Sequence, residues 1–540
     1  MDTVERMVMQ TELKKVATSE TLSSVIGAHA AGRPDAIALI SGDREIDYRA
    51  LHRAVNKVAH ALTAAGIGRG DHIAYLGRDS EQLYELVIGS SIVGAIVVPI
   101  NWRLTPTEIA HILTDSQCGL LFADAAAADI GAAALARATR MHEAQQVTVI
   151  GMDATEDGGG GFTNWLAPHP DTTPPVRATR ADPVLQMYTS GTTGASKGVM
   201  VAQESLFAVW DITFSSGWDW LVPRPDDRAF VAIPGFHIAG HAWVMQGLIA
   251  GITIAIIPEF TPGAALSTIR KHRITTMTAV PVMLALILTE PGVTGADFDL
   301  LRQISYGGSP IPESMLMHCM EKFQCEFVQF YGMTETVTPV SFLPPSEHVA
   351  GGARLRSAGR PYPGCEIAVI DDSGEPLPPR QVGEIVVRPP APMLGYWNRP
   401  EATATTLVDG YVHSGDAGWL DEQGYLFVSD RINDMIIVGG ENVYPAEVEN
   451  TITSHPAVQD AAVVGIPDER WGEAVHAFIV VRPGQTVTGR ELSLYLRDKV
   501  AAFKRPQRFD VIASLPRNAS GKILRRELRR KFWEGRERAD

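Results

Sequence analysis

The stretch from Tyr188 to Val199 combines glycines, hydroxyl side chains and one lysine, and these are groups that bind phosphate. It runs Tyr-Thr-Ser-Gly-Thr-Thr-Gly-Ala-Ser-Lys-Gly-Val, with apolar residues on both sides. Glycine tolerates positive φ and has no Cβ, so backbone N–H groups can turn toward an anion. The hydroxyls and Lys197 add donors and a positive charge. The pattern predicts a strand, a polyphosphate-binding loop and a second strand; a Gly/Ser/Thr surface turn is the alternative.

This loop differs from a Walker A loop, because Ser196 stands where that motif needs its second glycine. The candidate phosphate ligands are Thr189, Ser190, Gly191, Thr192, Thr193, Gly194 and Lys197.

Two strand-end motifs could hold the rest of a nucleotide. Tyr331-Gly-Met-Thr-Glu335 offers an aromatic ring on which a base can stack, and Glu335 supplies a hard oxygen ligand suited to Mg²⁺. Tyr306-Gly-Gly-Ser-Pro310 is a second Gly turn that could hold the base or ribose through its backbone.

Two more motifs lie toward the C-terminus. In Ser414-Gly-Asp416 the carboxylate is placed to accept hydrogen bonds from ribose hydroxyls, a role that Arg431 could share. A turn or helix N-cap residue is the alternative for Asp416. Residues 516–522 put Lys522 in a Gly turn, where a solvated surface lysine is the usual interpretation.

Composition and length limit the classes of protein to which this chain can belong. The chain has 540 residues and a formal net charge of −15, which argues against general affinity for nucleic acid or anionic membranes. Its length predicts more than one domain. The four cysteines have no CxxC spacing, so we expect reduced, interior thiols without zinc or disulfides. No signal peptide or membrane-spanning stretch is evident, and a cytoplasmic location is expected.

The apolar segments predict an α/β fold. Strands alternate with helices up to about residue 330, which indicates a parallel or mixed sheet with helices on its faces. After Cys365 the chain becomes β-rich and predicts a small antiparallel or barrel-like subdomain. A compact α+β domain follows, with a helix over 491–502. A polar helical lead-in is expected over residues 1–20. The final helix, over 523–533, is expected to dock its apolar stripe (Leu524, Leu528, Phe532) onto its own domain rather than a membrane.

Taken in order, six segments resemble the adenylate-forming superfamily, which includes acyl-CoA synthetases, firefly luciferase and peptide-synthetase adenylation domains. These segments are TSGTTGASKG, YGGSP, YGMTE, HSGD, SDRINDMIIVGGENVYPAEVE and PRNASGK. The resemblance spans almost the whole chain. Residues 439–445 and 463–472 most resemble the fatty-acyl and aryl CoA ligase branch.

The resemblance implies a role for each matched residue. Residues 189–198 would hold the β- and γ-phosphates, with Thr189 and Glu335 near Mg²⁺. Thr334 would face the α-phosphate, Asp416 and Arg431 would hold the ribose, and Lys522 would bridge ATP and the substrate carboxylate. The adenine would be surrounded by Gly308, Ser309, Pro310 and Tyr331, and Gly332 would also belong to the nucleotide site.

The resemblance also implies the domain organisation. A large N-terminal domain of stacked α/β sheets with the barrel-like subdomain would span 1–431, a hinge 432–434, and a small mobile α+β domain 435–540. Asn433 would be the hinge residue, where the family usually has Asp or Lys. Ser196 is a second departure, since the family loop usually has Pro there. It should loosen the loop without removing a phosphate ligand.

The acid and CoA sites are implied less directly. Pro234-Gly-Phe-His-Ile-Ala-Gly240 resembles the family segment at the mouth of the acyl pocket, with His237 lining or gating it; a core histidine is the alternative. The expected lining has no fixed charge, which predicts an apolar acid: His237, Ile238, Gly307, Gly332, Pro339 and Val340. The residues expected to meet CoA are Gly439, Gly440, Phe503 and Arg505.

These observations predict an ATP- and Mg²⁺-dependent acid–CoA ligase acting on a fatty, branched or aryl acid. Lys522, Glu335, Thr189 and His237 would act at the reacting groups. One alternative passes the acyl group to a carrier-protein thiol, and another is a nucleotide-binding module without turnover. Retention of Glu335 and Lys522 counts against the latter, since binding alone needs neither. The partners would be small molecules, namely the acid, ATP and CoA. A homodimer is a further option.

Overall fold

The structure is a computed structural model. It describes residues 21–140, 147–153, 161–189, 196–216, 218, 220–431, 434–438, 441–468, 470–497, 499–518 and 521–534. The predicted lead-in helix lies outside these residues.

The largest sheet has nine strands in the described part of the chain. Its central strands are parallel, and the strands at both edges are antiparallel to their neighbours. In spatial order the strands are Arg360–Pro361, Ser341–Leu343, Glu326–Tyr331, Gln303–Gly307, Thr276–Ala279, Arg228–Val231, Thr253–Ile256, Ile37–Ser41 and Arg44–Asp47.

A second sheet, of seven described strands, carries the candidate phosphate loop. Its strands are Gly395–Tyr396, Lys197–Ala202, Pro183–Thr189, Ile96–Ile100, His72–Leu76, Leu120–Ala123 and Thr148–Gly151. The two strands around the loop pair antiparallel, with Thr189 opposite Lys197. The predicted strands on either side of the loop are therefore confirmed, while residues 190–195 lie outside the described part.

Helices cover and separate these two sheets. The helix Glu81–Val93 is buried along nearly its whole length and contacts strands of both sheets. Its apolar residues are spread around the helix instead of forming one stripe, as expected for a helix packed on two sides. The described helices are Leu22–Gly32, Tyr48–Ala64, Glu81–Val93, Pro106–Ser116, Ala128–Arg140, Gly161–Leu166, Gln203–Ser216, Ile238–Ala250, Pro262–His272, Pro281–Ile287, Glu313–Phe323, Pro400–Thr406, Pro445–Thr453, Gly489–Leu496 and Arg525–Trp533.

The predicted β-rich subdomain is an antiparallel sheet around its own small core. Val340, Ile385, Val387, Val412 and Leu426 are among the buried members of that core. The strands are Glu366–Ile370, Gly383–Arg388, Leu407–Val408, Tyr411–Leu420 and Leu426–Arg431.

The C-terminal part has a separate sheet and separate apolar cores. The predicted α/β fold is therefore confirmed, with a large domain, a β-rich subdomain and a small α+β domain. Its strands are Ile436–Val438, Glu441–Val443, Val458–Asp468, Gly472–Val481 and Arg508–Val511.

Two predicted helices of this part have different outcomes. The helix over 491–502 ends at Leu496, because the chain turns there to bring Val500 back to the core that Leu496 occupies. The final helix docks onto its own domain as predicted. Leu528 is buried with Val464 and Phe478. Within the described residues, no helix combines the length and apolar character needed to cross a bilayer.

Candidate active site

The two predicted Gly turns meet at one edge of the large sheet. Strands Gln303–Gly307 and Glu326–Tyr331 are parallel neighbours, with Gly307 opposite Phe330. A Cβ at Gly307 would collide with the carbonyl oxygen of Phe330, and Gly308 has a φ of +76°. Glycine is therefore required for the close approach and for the turn. The carboxyl ends of parallel strands are where α/β sheets bind ligands.

Tyr331 is joined to the predicted ribose carboxylate of the small subdomain. Its hydroxyl donates to Asp416 Oδ2 at 2.7 Å. Asp416 is buried, and its backbone N–H donates to Ser414 Oγ at 3.0 Å. Arg431 is the cross-strand partner of Asp416, while its side chain lies outside the description. The structure thus brings the base motif and the ribose motif together across two sheets.

Glu335 is held by a tyrosine that our sequence reasoning missed. Glu335 lies in the short 3₁₀ helix Thr334–Thr336 and is 7% exposed. The Tyr396 hydroxyl donates to Glu335 Oε1 at 2.7 Å, and Lys197 Nζ lies 4.8 Å from the centroid of the same ring. Tyr396 therefore connects the strand after the phosphate loop to the candidate metal ligand. The only signal in the sequence was the aromatic pair after Gly395.

Val337 has a strained backbone directly after Glu335. Its φ is +65° and its ψ is −50°, and the Thr338 N–H donates to the Thr336 carbonyl at 2.7 Å. This is a γ-turn of the rare positive-φ kind, which a β-branched residue adopts only under constraint. No sequence signal indicates it. Val337 also lines the apolar cavity described next, so one strained turn joins Glu335 to that cavity.

A cavity of about 50 Å³ lies between the helix Ile238–Ala250 and the Gly turns. None of its lining residues carries a charge: Ile238, Ala239, Ala242, Trp243, Gln246, Gly308, Phe330, Gly332, Met333, Val337, Thr338 and Pro339. Ile238, Gly332 and Pro339 are thus residues expected for the acyl pocket. His237, Gly307 and Val340 are outside this lining, since Gly307 packs on Phe330 and Val340 belongs to the subdomain core.

His237 is buried where that helix begins. Burial, with a smaller contribution from the positive charge of Arg103, lowers the pKa of His237 to about 4. Its ring is therefore neutral near pH 7. Its Nε2 has no hydrogen-bond partner among the described residues.

Asp79 is a second residue that our sequence reasoning missed, and it anchors the segment before His237. Its carboxylate accepts from the Gly235 N–H and from the Tyr84 hydroxyl, each at 3.1 Å. Burial raises the pKa of Asp79 to about 7. The segment 234–240 is thus held by a buried acid 156 residues earlier in the chain.

The turn that carries Lys522 packs against the large domain. The Lys522 N–H donates to Asn518 Oδ1 at 2.8 Å, and the Asn518 N–H donates to the Lys522 carbonyl at 2.9 Å. A Cβ at Gly521 would lie 2.7 Å from Val282 Cγ1. Val282 follows strand Thr276–Ala279, the neighbour of Gln303–Gly307. The turn therefore lies beside the edge that holds the two Gly motifs.

The structure describes only some of the remaining predicted site residues. Ser309 and Pro310 continue the turn after Gly308, and Phe503 is 36% exposed in the short 3₁₀ helix Ala502–Lys504. Arg505 Nε donates to the Val500 carbonyl at 3.1 Å. Those outside the described residues are Ser190, Gly191, Thr192, Thr193, Gly194, Asn433, Gly439 and Gly440.

Two family models match the chain. The model described as AMP-binding enzyme matches residues 26–397, and the model described as AMP-binding enzyme C-terminal domain matches residues 447–522. The chain belongs to the AMP-binding enzyme family.

Individual AMP-binding enzymes align over nearly the full chain. A fatty acid–[acyl-carrier-protein] ligase, ScoC, from Streptomyces coeruleorubidus is 47% identical over 95% of this chain and 97% of the relative. A feruloyl-CoA synthase from an Amycolatopsis species is 38% identical over 92% and 96%. The structure of o-succinylbenzoate CoA synthetase (MenE) from Bacillus subtilis with the acyl-adenylate OSB-AMP matches with a TM-score of 0.79 at 33% identity, over 93% and 97%.

These findings confirm the predicted branch of AMP-binding enzymes and the class of reaction. The protein is an ATP-dependent acid–thiol ligase of the acyl-CoA synthetase branch, which activates a carboxylic acid as its adenylate.

Proposed function

We propose that this protein joins an apolar fatty or aryl acid to coenzyme A through an acyl-AMP intermediate. One observation carries the proposal. Tyr331 and Glu335 are sequence neighbours of residues that line a cavity without charged side chains, and Tyr331 donates to Asp416. The turn that carries Lys522 approaches Val282 beside the same strand-end edge. Nucleotide-binding groups and an apolar acid pocket would therefore share one strand-end edge.

In the first step, a carboxylate oxygen attacks the α-phosphorus of ATP and pyrophosphate leaves. This displacement depends on positioned charges more than on covalent help from the protein. Lys522 would stabilise the negative charge shared by the carboxylate and the α-phosphate. Asp416 and Tyr331 would hold ribose and base, and Lys197 would hold the departing phosphates.

In the second step, a thiol sulfur attacks the acyl carbon and AMP leaves. The thiol needs an open path where Lys522 stood, so a mobile C-terminal domain would serve both steps. We propose the domain bounds 1–431 and 435–540 with the hinge at Asn433. The approach of Gly521 to Val282 supports this proposal, because it puts the Lys522 turn beside the strand-end edge where the first step would occur.

The residues fit a magnesium ion bound with the nucleotide. Glu335 and Thr189 offer hard oxygen atoms, as Mg²⁺ prefers. Among the described residues, no group of three or more His, Cys, Asp or Glu could hold a metal by itself. Mg²⁺ would thus be held by one carboxylate, one hydroxyl and phosphate oxygens, and it would supply charge neutralisation there. Tyr396 would keep the Glu335 carboxylate oriented.

Trp243 is expected to set the length of acid that the cavity accepts. Its ring centroid lies 5.8 Å from that of Phe330 inside the lining. Trp243→Ala should shift the ratio of kcat/KM for long over short acids upward by about tenfold or more, because the removed indole frees pocket volume. Pyrophosphate release over a series of straight-chain acids measures this ratio.

The exposed Trp471, 42% accessible in the C-terminal domain, provides a matched control. Trp471→Ala should leave the chain-length profile unchanged. An unchanged profile in Trp243→Ala would contradict the assigned role of Trp243.

A carrier-protein thiol is the second candidate acceptor. The 47% identical relative is named as a ligase of fatty acids to acyl carrier protein, whereas the 38% identical relative is named as a CoA synthase. CoA and acyl carrier protein both present their thiol on a phosphopantetheine arm. The choice of acceptor therefore depends on whether the protein contacts the nucleotide of CoA or the surface of a carrier protein.

One experiment tests the acid and the acceptor together. A panel of fatty, branched and aryl acids is assayed for pyrophosphate release, with CoA, with phosphopantetheinylated acyl carrier protein, or with neither. We expect release with apolar acids and faster turnover with CoA. Turnover with carrier protein alone would establish the second candidate, and absence of release with every acid would refute the proposal. We also propose a cytoplasmic location, which suits the four free thiols.

A further inference from the structure

One polar side chain stands out in the wall of the apolar cavity. Gln246 lines the cavity and is 4% exposed, and its Nε2 has no hydrogen-bond partner among the residues that the structure describes. The backbone around it is fixed, since Trp210 Nε1 donates to the Gln246 carbonyl at 3.1 Å. The backbone carbonyl is thus satisfied while the side-chain amide nitrogen is not.

Its place on the helix Ile238–Ala250 defines where a partner would bind. Ala239, Ala242, Trp243 and Gln246 are spaced three or four residues apart, so they form one stripe that faces the cavity. Gln246 is eight residues after Ile238, a separation of about 12 Å along the helix axis. A group that reaches Gln246 therefore lies well away from the helix N-terminus.

A buried donor without a partner destabilises a protein unless a ligand or water satisfies it. Apart from Gln246 and Thr338, the side chains that line the pocket are apolar. A plain hydrocarbon chain would leave the amide of Gln246 without a hydrogen-bond partner. A site built to hydrogen-bond a substrate group discriminates strongly against the analogue that lacks it.

We propose that Gln246 selects acids that carry an oxygen acceptor, a carbonyl or hydroxyl oxygen, in the distal part of the acyl group. This rests on the proposed function, because it assigns the acid within the same cavity. Gln246 Nε2 donates to that oxygen, and Trp243 and Phe330 contact the apolar part of the chain. The preferred substrate is thus an acid whose chain carries an oxygen substituent, rather than the unsubstituted acid of the same length.

The test compares saturated straight-chain acids of increasing length with their oxo counterparts, which carry a ketone near the far end. Pyrophosphate release gives kcat/KM for each acid with the wild type and with Gln246→Leu. At the best-fitting length, the wild type should prefer the oxo acid by about tenfold or more. Gln246→Leu should abolish that preference while still activating the saturated acid.

Met245→Leu is the matched control, because Met245 is buried on the same helix outside the lining, and this swap conserves volume. It should keep the wild-type ratio. The same ratio in wild type and Gln246→Leu, or a wild-type preference for the saturated acid at every length, would overturn the inference. The wild-type ratio decides alone if Gln246→Leu does not fold. No release with any acid refutes the proposed function instead.

Discussion

Lys522→Ala is expected to slow acyl-adenylate formation by about a hundredfold or more while leaving thioester formation from supplied acyl-AMP within a few fold. The reason is positional. The turn that holds Lys522 packs on Val282 beside the proposed nucleotide-binding edge, and Lys522 would supply the positive charge that the first step is proposed to need. Pyrophosphate release measures the first half-reaction, and conversion of synthetic acyl-AMP with CoA measures the second.

Lys531→Ala serves as the control for loss of a lysine in this domain. Lys531 is exposed on the final helix and lies 3.5 Å from Asp510. It should change neither half-reaction, because an exposed ion pair contributes little. Equal losses in both half-reactions of Lys522→Ala would rule out the role in adenylation.

Glu335→Gln is expected to lower kcat/KM for adenylation by about a hundredfold and to raise the Mg²⁺ concentration that gives half-maximal rate. The amide keeps an oxygen that can accept from Tyr396 but loses the negative charge that a divalent cation needs. Initial rates over a magnesium titration at saturating ATP and acid measure both effects.

Two further variants separate charge from orientation. Tyr396→Phe removes the 2.7 Å hydrogen bond and keeps the ring, so a smaller loss in the same direction is expected. Glu422→Gln changes an exposed carboxylate that pairs with Arg380, and it should keep the wild-type magnesium response. A normal magnesium titration in Glu335→Gln would exclude Glu335 as the metal ligand.

Sequence-based prediction succeeded best for short, locally encoded elements. The strands His72–Leu76 and Glu366–Ile370 lie on short apolar runs between polar turns, which leave little choice of register. The helix over 491–502 was predicted too long, because its end depends on how Val500 returns to the core. That packing is a tertiary effect and leaves no helix-stop signal at Leu496.

In the candidate site, too, some features are visible in the sequence and others only in the structure. The residue types that can hold phosphate, ribose and metal are visible in the sequence as short motifs, and Gly307 and Gly308 mark a turn that only glycine allows. The resemblance to a known family then assigned their roles. The contacts of Asp79 and Tyr396 were not visible, because each meets its partner at a distance along the chain that no local pattern encodes.

By itself, the sequence determined the chemical inventory: a Gly-rich loop, a carboxylate after each of two turns, and a lysine near the C-terminus. Only the tertiary structure decided which of these groups meet. Tyr331 reaches Asp416 across 85 residues, and Tyr396 reaches Glu335 across 61. The unpartnered amide of Gln246 likewise becomes visible only once the cavity wall is assembled. Local spacing encodes a turn or a strand, whereas a site is formed by side chains that packing of whole sheets brings together.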